Sequence, residues 1–87
     1  MRVLGLDIGG ANIKCSDADG KVATVPFEMW KRHQDLPDQI RKIADEYEPP
    51  DLVAITTTAE LADCFQTKEE GVRYVLDSVS KAFPPRV

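Results

Sequence analysis

Residues 3–14, Val-Leu-Gly-Leu-Asp-Ile-Gly-Gly-Ala-Asn-Ile-Lys, constrain this chain more than any other stretch, because they read as strand, glycine turn and returning strand. The apolar run ends on Asp7, and Gly9-Gly10 follow directly after Ile8. Without a Cβ, glycines can take positive φ and let backbone amides approach an anion closely, as phosphate oxygens require. Lys14 brings a positive charge back across the hairpin. Asp7, an acceptor only when ionised, suits Mg²⁺ or a metal-bound water beside a phosphate rather than the phosphate itself. The same letters also suit a plain hairpin, with Asp7 a turn residue and Lys14 a solvated strand charge.

Size and composition set the outer bounds. A chain of 87 residues holds at most one small domain, with a core that buries a lower fraction of its surface than a larger protein's. At 43% hydrophobic and 30% charged, it has the balance of an ordinary globular chain, and no apolar run approaches a membrane span. No signal-peptide pattern opens it, because glycines and Asp7 interrupt the first apolar run. Cys15 and Cys64 are too few for a disulfide framework and lack metal-ligand spacing, so a cytoplasmic location is expected. The net charge of −4, with no Lys or Arg block, leaves no footprint for nucleic acid.

The chain then reads in order as strands and helices. Residues 2–8 predict a central strand and 12–17 a half-exposed one nearer an edge. Asp17-Ala18-Asp19-Gly20 is a turn, and residues 21–27 form a third strand anchored by Val22, Val25 and Phe27, completing an antiparallel meander. Pro26 lacks a ladder donor and belongs at a strand end or sheet edge. Residues 28–34 form a connection, with Trp30 covering one end of the core and His33 an exposed loop residue.

Leu36, Ile40, Ile43, Ala44 and Tyr47 recur at helical spacing, with Asp35 at the N-cap and Pro49-Pro50 as the stop. Residues 51–58 predict a buried fourth strand, parallel to the first by the right-handed crossover rule. Its threonines, Thr56, Thr57 and Thr58, then end beside Asp7, where open α/β sheets bind ligands. Their hydroxyls could donate to phosphate or substrate oxygens, or serve simply as strand and turn residues. Residues 59–66 suggest one helical turn and a loop, with Cys64 a buried, inert thiol. Thr67-Lys-Glu-Glu70 is a capping box opening a second helix, with Val72, Val75, Leu76, Val79 and Phe83 on its apolar face and Pro84-Pro85 at its end.

The string LGLDIGGANIK resembles the first phosphate loop, residues 5–14, of the actin, sugar kinase and Hsp70-like ATPase superfamily. Within it, the chain is most similar to the hydantoinase/oxoprolinase branch, whose hairpin reads DIGGT; here Ala11 replaces the hydroxyl residue. TTTAELADCFQTKEEGV, residues 56–72, resembles a motif of a narrower subgroup, the tetrahydromethanopterin-linked one-carbon transfer pathway proteins associated with methanofuran biosynthesis. The resemblance implies an α/β fold, a ribonuclease H-like βββαβα half-lobe with a parallel fourth strand and two helices. Residues 1–87 would be part of the first lobe of a two-lobed protein.

Implied with it is a transferase joining an aminomethylfuran diphosphate to a tyramine-derived amine with loss of diphosphate. Asp7 would act as the catalytic residue holding Mg²⁺ through water, Gly9, Gly10, Asn12 and Lys14 would bind phosphate, and Thr56 to Thr58 would lie near the substrate. Two alternatives stay open: an ATP-dependent hydantoinase/oxoprolinase-type hydrolase or sugar-kinase-like phosphotransferase, with ATP in the same loop, and a binding module without chemistry. With one lobe alone, no turnover and weak phosphate affinity are expected, and the fourth strand's edge is open to self-association.

Overall fold

The structure, a computed structural model, describes residues 1–58 and 65–83. Cys64, most of the short turn expected over 59–66, and Pro84-Pro85 lie outside the described residues. Strands β1 (Val3–Ile8), β2 (Asn12–Asp17), β3 (Val22–Pro26) and β4 (Leu52–Thr57) form one mixed sheet in the order β3-β2-β1-β4. The first three make the expected antiparallel meander, and β4 runs parallel to β1. Helices α1 (Met29–Arg32), α2 (Leu36–Ala44) and α3 (Lys68–Ala82) complete the chain, with a 3₁₀ turn, His33–Asp35, between the first two. Among the described residues no helix is long and apolar enough to cross a membrane.

Alternation in the strands decides which face is covered. Leu4, Leu6 and Ile8 of β1 and Ile13 and Cys15 of β2 are buried, as are Leu36, Ile40 and Ile43 of α2 and Val75 and Val79 of α3. These side chains form one core between one face of the sheet and the paired helices α2 and α3. Residues of opposite parity, including Asp7, Lys14 and Thr56, are exposed on the other face.

Both ends of the β1–β4 pair are pinned. At the start, Asp51 accepts the Arg2 amide at 2.7 Å, and the Asp51 amide donates to the Arg2 carbonyl at 2.8 Å. At the finish, the Thr58 amide donates to the Ile8 carbonyl at 3.1 Å. A one-residue slip would break both and turn Val53 and Ile55 away from the core. Tyr47 closes the far corner, its hydroxyl donating to the Cys15 carbonyl at 3.2 Å, with the Lys21 carbonyl at 3.4 Å as the alternative acceptor, and its ring lying under the Lys21 ammonium. Burial first, then the neighbouring Cys15, Asp17 and Glu46, pushes the Tyr47 phenol up to about 12.

Several expectations are corrected. Residues 28–34 are not a bare connection, because Met29–Arg32 is helical and Met29, fully buried, fills the place expected of Trp30, which is 58% exposed. Val22 is no anchor: strand parity buries its neighbour Ala23 in part and leaves Val22 67% exposed. Strand β4 is not buried but is an edge, with Leu52, Ala54 and Thr56 open because no described element covers that face.

Asp35 holds the N-cap position of α2 without a side-chain cap bond and pairs instead with Arg32 at 3.5 Å. At α3, Thr67 accepts the Glu70 amide at 3.0 Å as the capping box requires, while the Glu70 carboxylate takes the Gln66 amide rather than that of Thr67. The buried face of α3 is Gly71, Val75, Ser78 and Val79, leaving Val72 and Leu76 exposed. Small residues let this face press against its neighbours, and Ser78 satisfies its own hydroxyl on the Tyr74 carbonyl at 2.9 Å.

Candidate functional site

The hairpin joining β1 to β2 is closed by the Gly9 amide donating to the Asn12 carbonyl at 2.9 Å. Neither Gly9 nor Gly10 takes the positive φ expected of them; among the described residues only Gly20, with φ +91°, does, in the turn after β2. The demand for glycine at position 9 is steric. A Cβ there would stand 3.3 Å from the Asn12 carbonyl oxygen and 3.7 Å from Thr58 Oγ1, whereas one at Gly10 would meet nothing within 4 Å.

The carbonyls of this tip are held from outside the hairpin. Gly10 accepts the Met29 amide at 2.9 Å and Ala11 the Phe27 amide at 2.8 Å. The amides of Gly10 and Ala11, in contrast, donate to no acceptor among the described residues. Two consecutive backbone donors with their carbonyls already engaged are the raw material of an anion nest.

Strand pairing sets side chains beside this tip. Asp7 lies opposite Lys14 on β2 and opposite Thr56 on β4, and Lys14 lies opposite Thr24 on β3. These four positions form a polar row across the open face of the sheet. Thr56 Oγ1 donates to Asp7 Oδ1 at 3.3 Å. Lys14 is exposed and joins none of the ion pairs among the described residues, Arg2–Glu48, Arg32–Asp35 and Arg41–Asp38, so its ammonium is free for a ligand. The next row toward the start of β1 is Ser16, Gly5 and Ala54, which with Asp7, Lys14 and Thr56 borders a shallow depression of about 490 Å³.

Most of the expected site residues therefore meet at one end of the sheet. Asp7, Lys14 and Thr56 share the open face, Gly9, Gly10 and Asn12 form the hairpin tip, and Thr58 stands against Gly9. Thr57 does not join them, because consecutive strand residues point to opposite faces, and its hydroxyl donates to the Ile8 carbonyl at 2.8 Å. With the hydroxyl lost at Ala11, its hydrogen bond falls to Asn12 or the backbone, and the Ala11 amide is one of the two donors that the tip leaves open.

His33 is likewise corrected from an exposed loop residue to a packing residue. Its ring stands edge-on to Phe65 and Tyr74, with centroids 6.1 and 5.9 Å away, and its Nδ1 is buried without a hydrogen-bond partner. Cys15 is buried, and desolvation pushes its thiol up, which makes it a poor nucleophile.

A metal would find a narrow foothold. Among the described residues no group of three or more His, Cys, Asp or Glu could hold one. A single exposed carboxylate fits Mg²⁺ that keeps most of its waters and is shared with a phosphate, and does not fit an all-protein cage.

No family model matches the chain. The chain is 45% identical over 86 residues to the (4-{4-[2-(gamma-L-glutamylamino)ethyl]phenoxymethyl}furan-2-yl)methanamine synthase of Methanocaldococcus jannaschii, a match that covers 95% of this chain and 25% of that protein. It thus spans about a quarter of the length of that relative.

Proposed function

We propose that residues 1–87 supply the phosphate-holding part of a transferase of one-carbon metabolism, in the first lobe of a ribonuclease H-like domain of the hydantoinase/oxoprolinase type. The observation that carries this reading is the meeting of two unclaimed amides, Gly10 and Ala11, with Asp7, Lys14 and Thr56 at one sheet end. Its support from outside the chain is the 45% identity to a synthase named for a furan-methanamine carrying a phenoxymethyl ether.

The resemblance to methanofuran-biosynthesis proteins gives the reaction a definite form for a longer protein built on this chain, and the phenoxymethyl ether in that synthase's name fits its product. An aminomethylfuran diphosphate loses diphosphate from its exocyclic carbon, the carbon–oxygen bond breaking with its electron pair on the leaving group. The phenol oxygen of a tyramine-derived acceptor bonds to the same carbon and gives up its proton to the released diphosphate. The protein's task is to hold the leaving group and neutralise the charge that gathers on it.

Gly10 and Ala11 amides donate to the outer phosphate oxygens, Lys14 places a cation on the open-face side, and Asn12 offers a side-chain amide at the tip. Asp7 would hold Mg²⁺ through water, and the ion would supply charge neutralisation on the diphosphate. In the 87-residue chain alone the site faces water on one side, so weak anion binding without turnover is expected.

The test is diphosphate release by the longer protein containing this chain, supplied with the furan diphosphate and acceptor, with and without ATP. Release without ATP, lost in Asp7→Ala, is the expected result. Strict dependence on ATP would overturn the synthase reading in favour of a hydantoinase-type hydrolase or a kinase.

A further inference from the structure

Two threonines close β4 and a third follows it, and each does something different. Thr58 stands beside the hairpin glycine, Thr57 bonds the Ile8 carbonyl on the core side, and Thr56 is the one paired in register with Asp7 on the open face. The parallel register sets Thr56 directly beside Asp7, and its hydroxyl donates to Asp7 Oδ1 at 3.3 Å. A hydroxyl has one proton, so one given to Asp7 is not available to a substrate oxygen. Branching at Cβ restricts the χ1 of Thr56, so the donor is held in place by the strand itself. An exposed carboxylate on an open sheet face would otherwise turn freely among its rotamers.

We propose that Thr56 is a positioning residue for Asp7: its hydroxyl holds Oδ1, fixes the carboxylate plane and leaves Oδ2 directed to the ligand at the hairpin tip. This rests on the reading of Asp7 as a site residue and changes the part of Thr56 from touching substrate to acting through its neighbour. Oxygens that ligate a metal or its waters are commonly held by such an outer partner, and losing the partner commonly costs tenfold or more in affinity.

The experiment measures the Asp7 side chain itself. Three-bond couplings in the isotope-labelled 87-residue chain report Asp7 χ1 in the parent, Thr56→Val and Thr56→Ser, while thermal melting checks that each stays folded. Valine keeps the β-branch and shape and removes only the hydroxyl; serine keeps the hydroxyl. One dominant Asp7 rotamer in the parent and in Thr56→Ser, and averaging over rotamers in Thr56→Val, is the expected result. An unchanged rotamer in Thr56→Val, or averaging in Thr56→Ser as well, would overturn it.

Titrating the same three proteins with Mg²⁺ and inorganic diphosphate gives the second readout, with about tenfold weaker binding expected for Thr56→Val alone. If the parent binds no diphosphate while its Asp7 rotamer still depends on the Thr56 hydroxyl, the phosphate reading falls and the positioning role stands. If diphosphate binds equally to all three, the positioning role falls and the phosphate reading stands.

Discussion

Asp7 occupies an exposed position on an interior strand, one residue from the buried Leu6 and Ile8. Its removal therefore creates no cavity, and Asp7→Ala is expected to change stability by no more than about 0.5 kcal/mol while abolishing diphosphate release in the longer protein. Retained activity would remove Asp7 from the site. The two hairpin glycines divide in a way that letters alone do not show. Gly10→Ala meets open space at a φ that alanine accepts, so it is expected to stabilise the chain by about 0.4–1 kcal/mol through the unfolded state. Gly9→Ala crowds the Asn12 carbonyl that closes the hairpin and is expected to destabilise by about 1 kcal/mol or more. Equal effects in chemical denaturation would contradict this division. Tyr47 and the buried Cys15 beside it carry the alkaline pH dependence. With the folded value of Tyr47 raised to about 12 from an ordinary 10, the unfolded chain loses the phenol proton first, so the share of stability that Tyr47 contributes holds below about pH 10 and falls as pH climbs toward 12, while the raised Cys15 thiol adds a loss of the same sign that begins at lower pH. Melting temperatures across that range should lose much of this slope in Tyr47→Phe.

At the scale of elements, the strands were legible because their periods were clean and their turns explicit. The β1–β2 hairpin, the Asp17–Gly20 turn, the meander and the parallel β4 all follow from alternation, turn residues and the crossover rule. Less legible was which side of an element faces the core. Apolar spacing pointed α3 through Val72 and Leu76, whereas the buried face runs through Gly71 and Ser78, residues that score as neutral or polar yet permit close packing. In the site, side-chain chemistry and the presence of backbone donors at the glycine turn could be read, but not which amides stay unclaimed: the Gly9 amide closes the hairpin, and those of Gly10 and Ala11 are left. Ile40→Ala, in the packed face of α2, is expected to cost about 2–5 kcal/mol, whereas Leu76→Ser should stay within about 0.5 kcal/mol. A larger loss for Leu76→Ser in urea unfolding would restore the face expected from spacing.

For the molecule as a whole, the sheet has one helix-covered face and one open face, and the polar row of Asp7, Lys14 and Thr56 lies on the open one. Strand β4 is an edge of six residues with no charge and no proline, whereas the opposite edge, β3, ends on Pro26. Such an edge pairs readily with another strand, so sedimentation equilibrium of the 87-residue chain should show concentration-dependent association that Ala54→Lys weakens. Identical behaviour of the two proteins would place any association elsewhere. The central claim is that the hairpin tip and the row beside it form one oxyanion site. Its most direct test is an amide-resolved NMR titration of this chain with inorganic diphosphate, in the presence and absence of Mg²⁺. Saturable shifts centred on the Gly10 and Ala11 amides, strengthened by Mg²⁺ and lost in Asp7→Ala only for the Mg²⁺-dependent part, are the predicted result. Silent Gly10 and Ala11 amides, with shifts confined to lysines and arginines elsewhere on the surface, would contradict it.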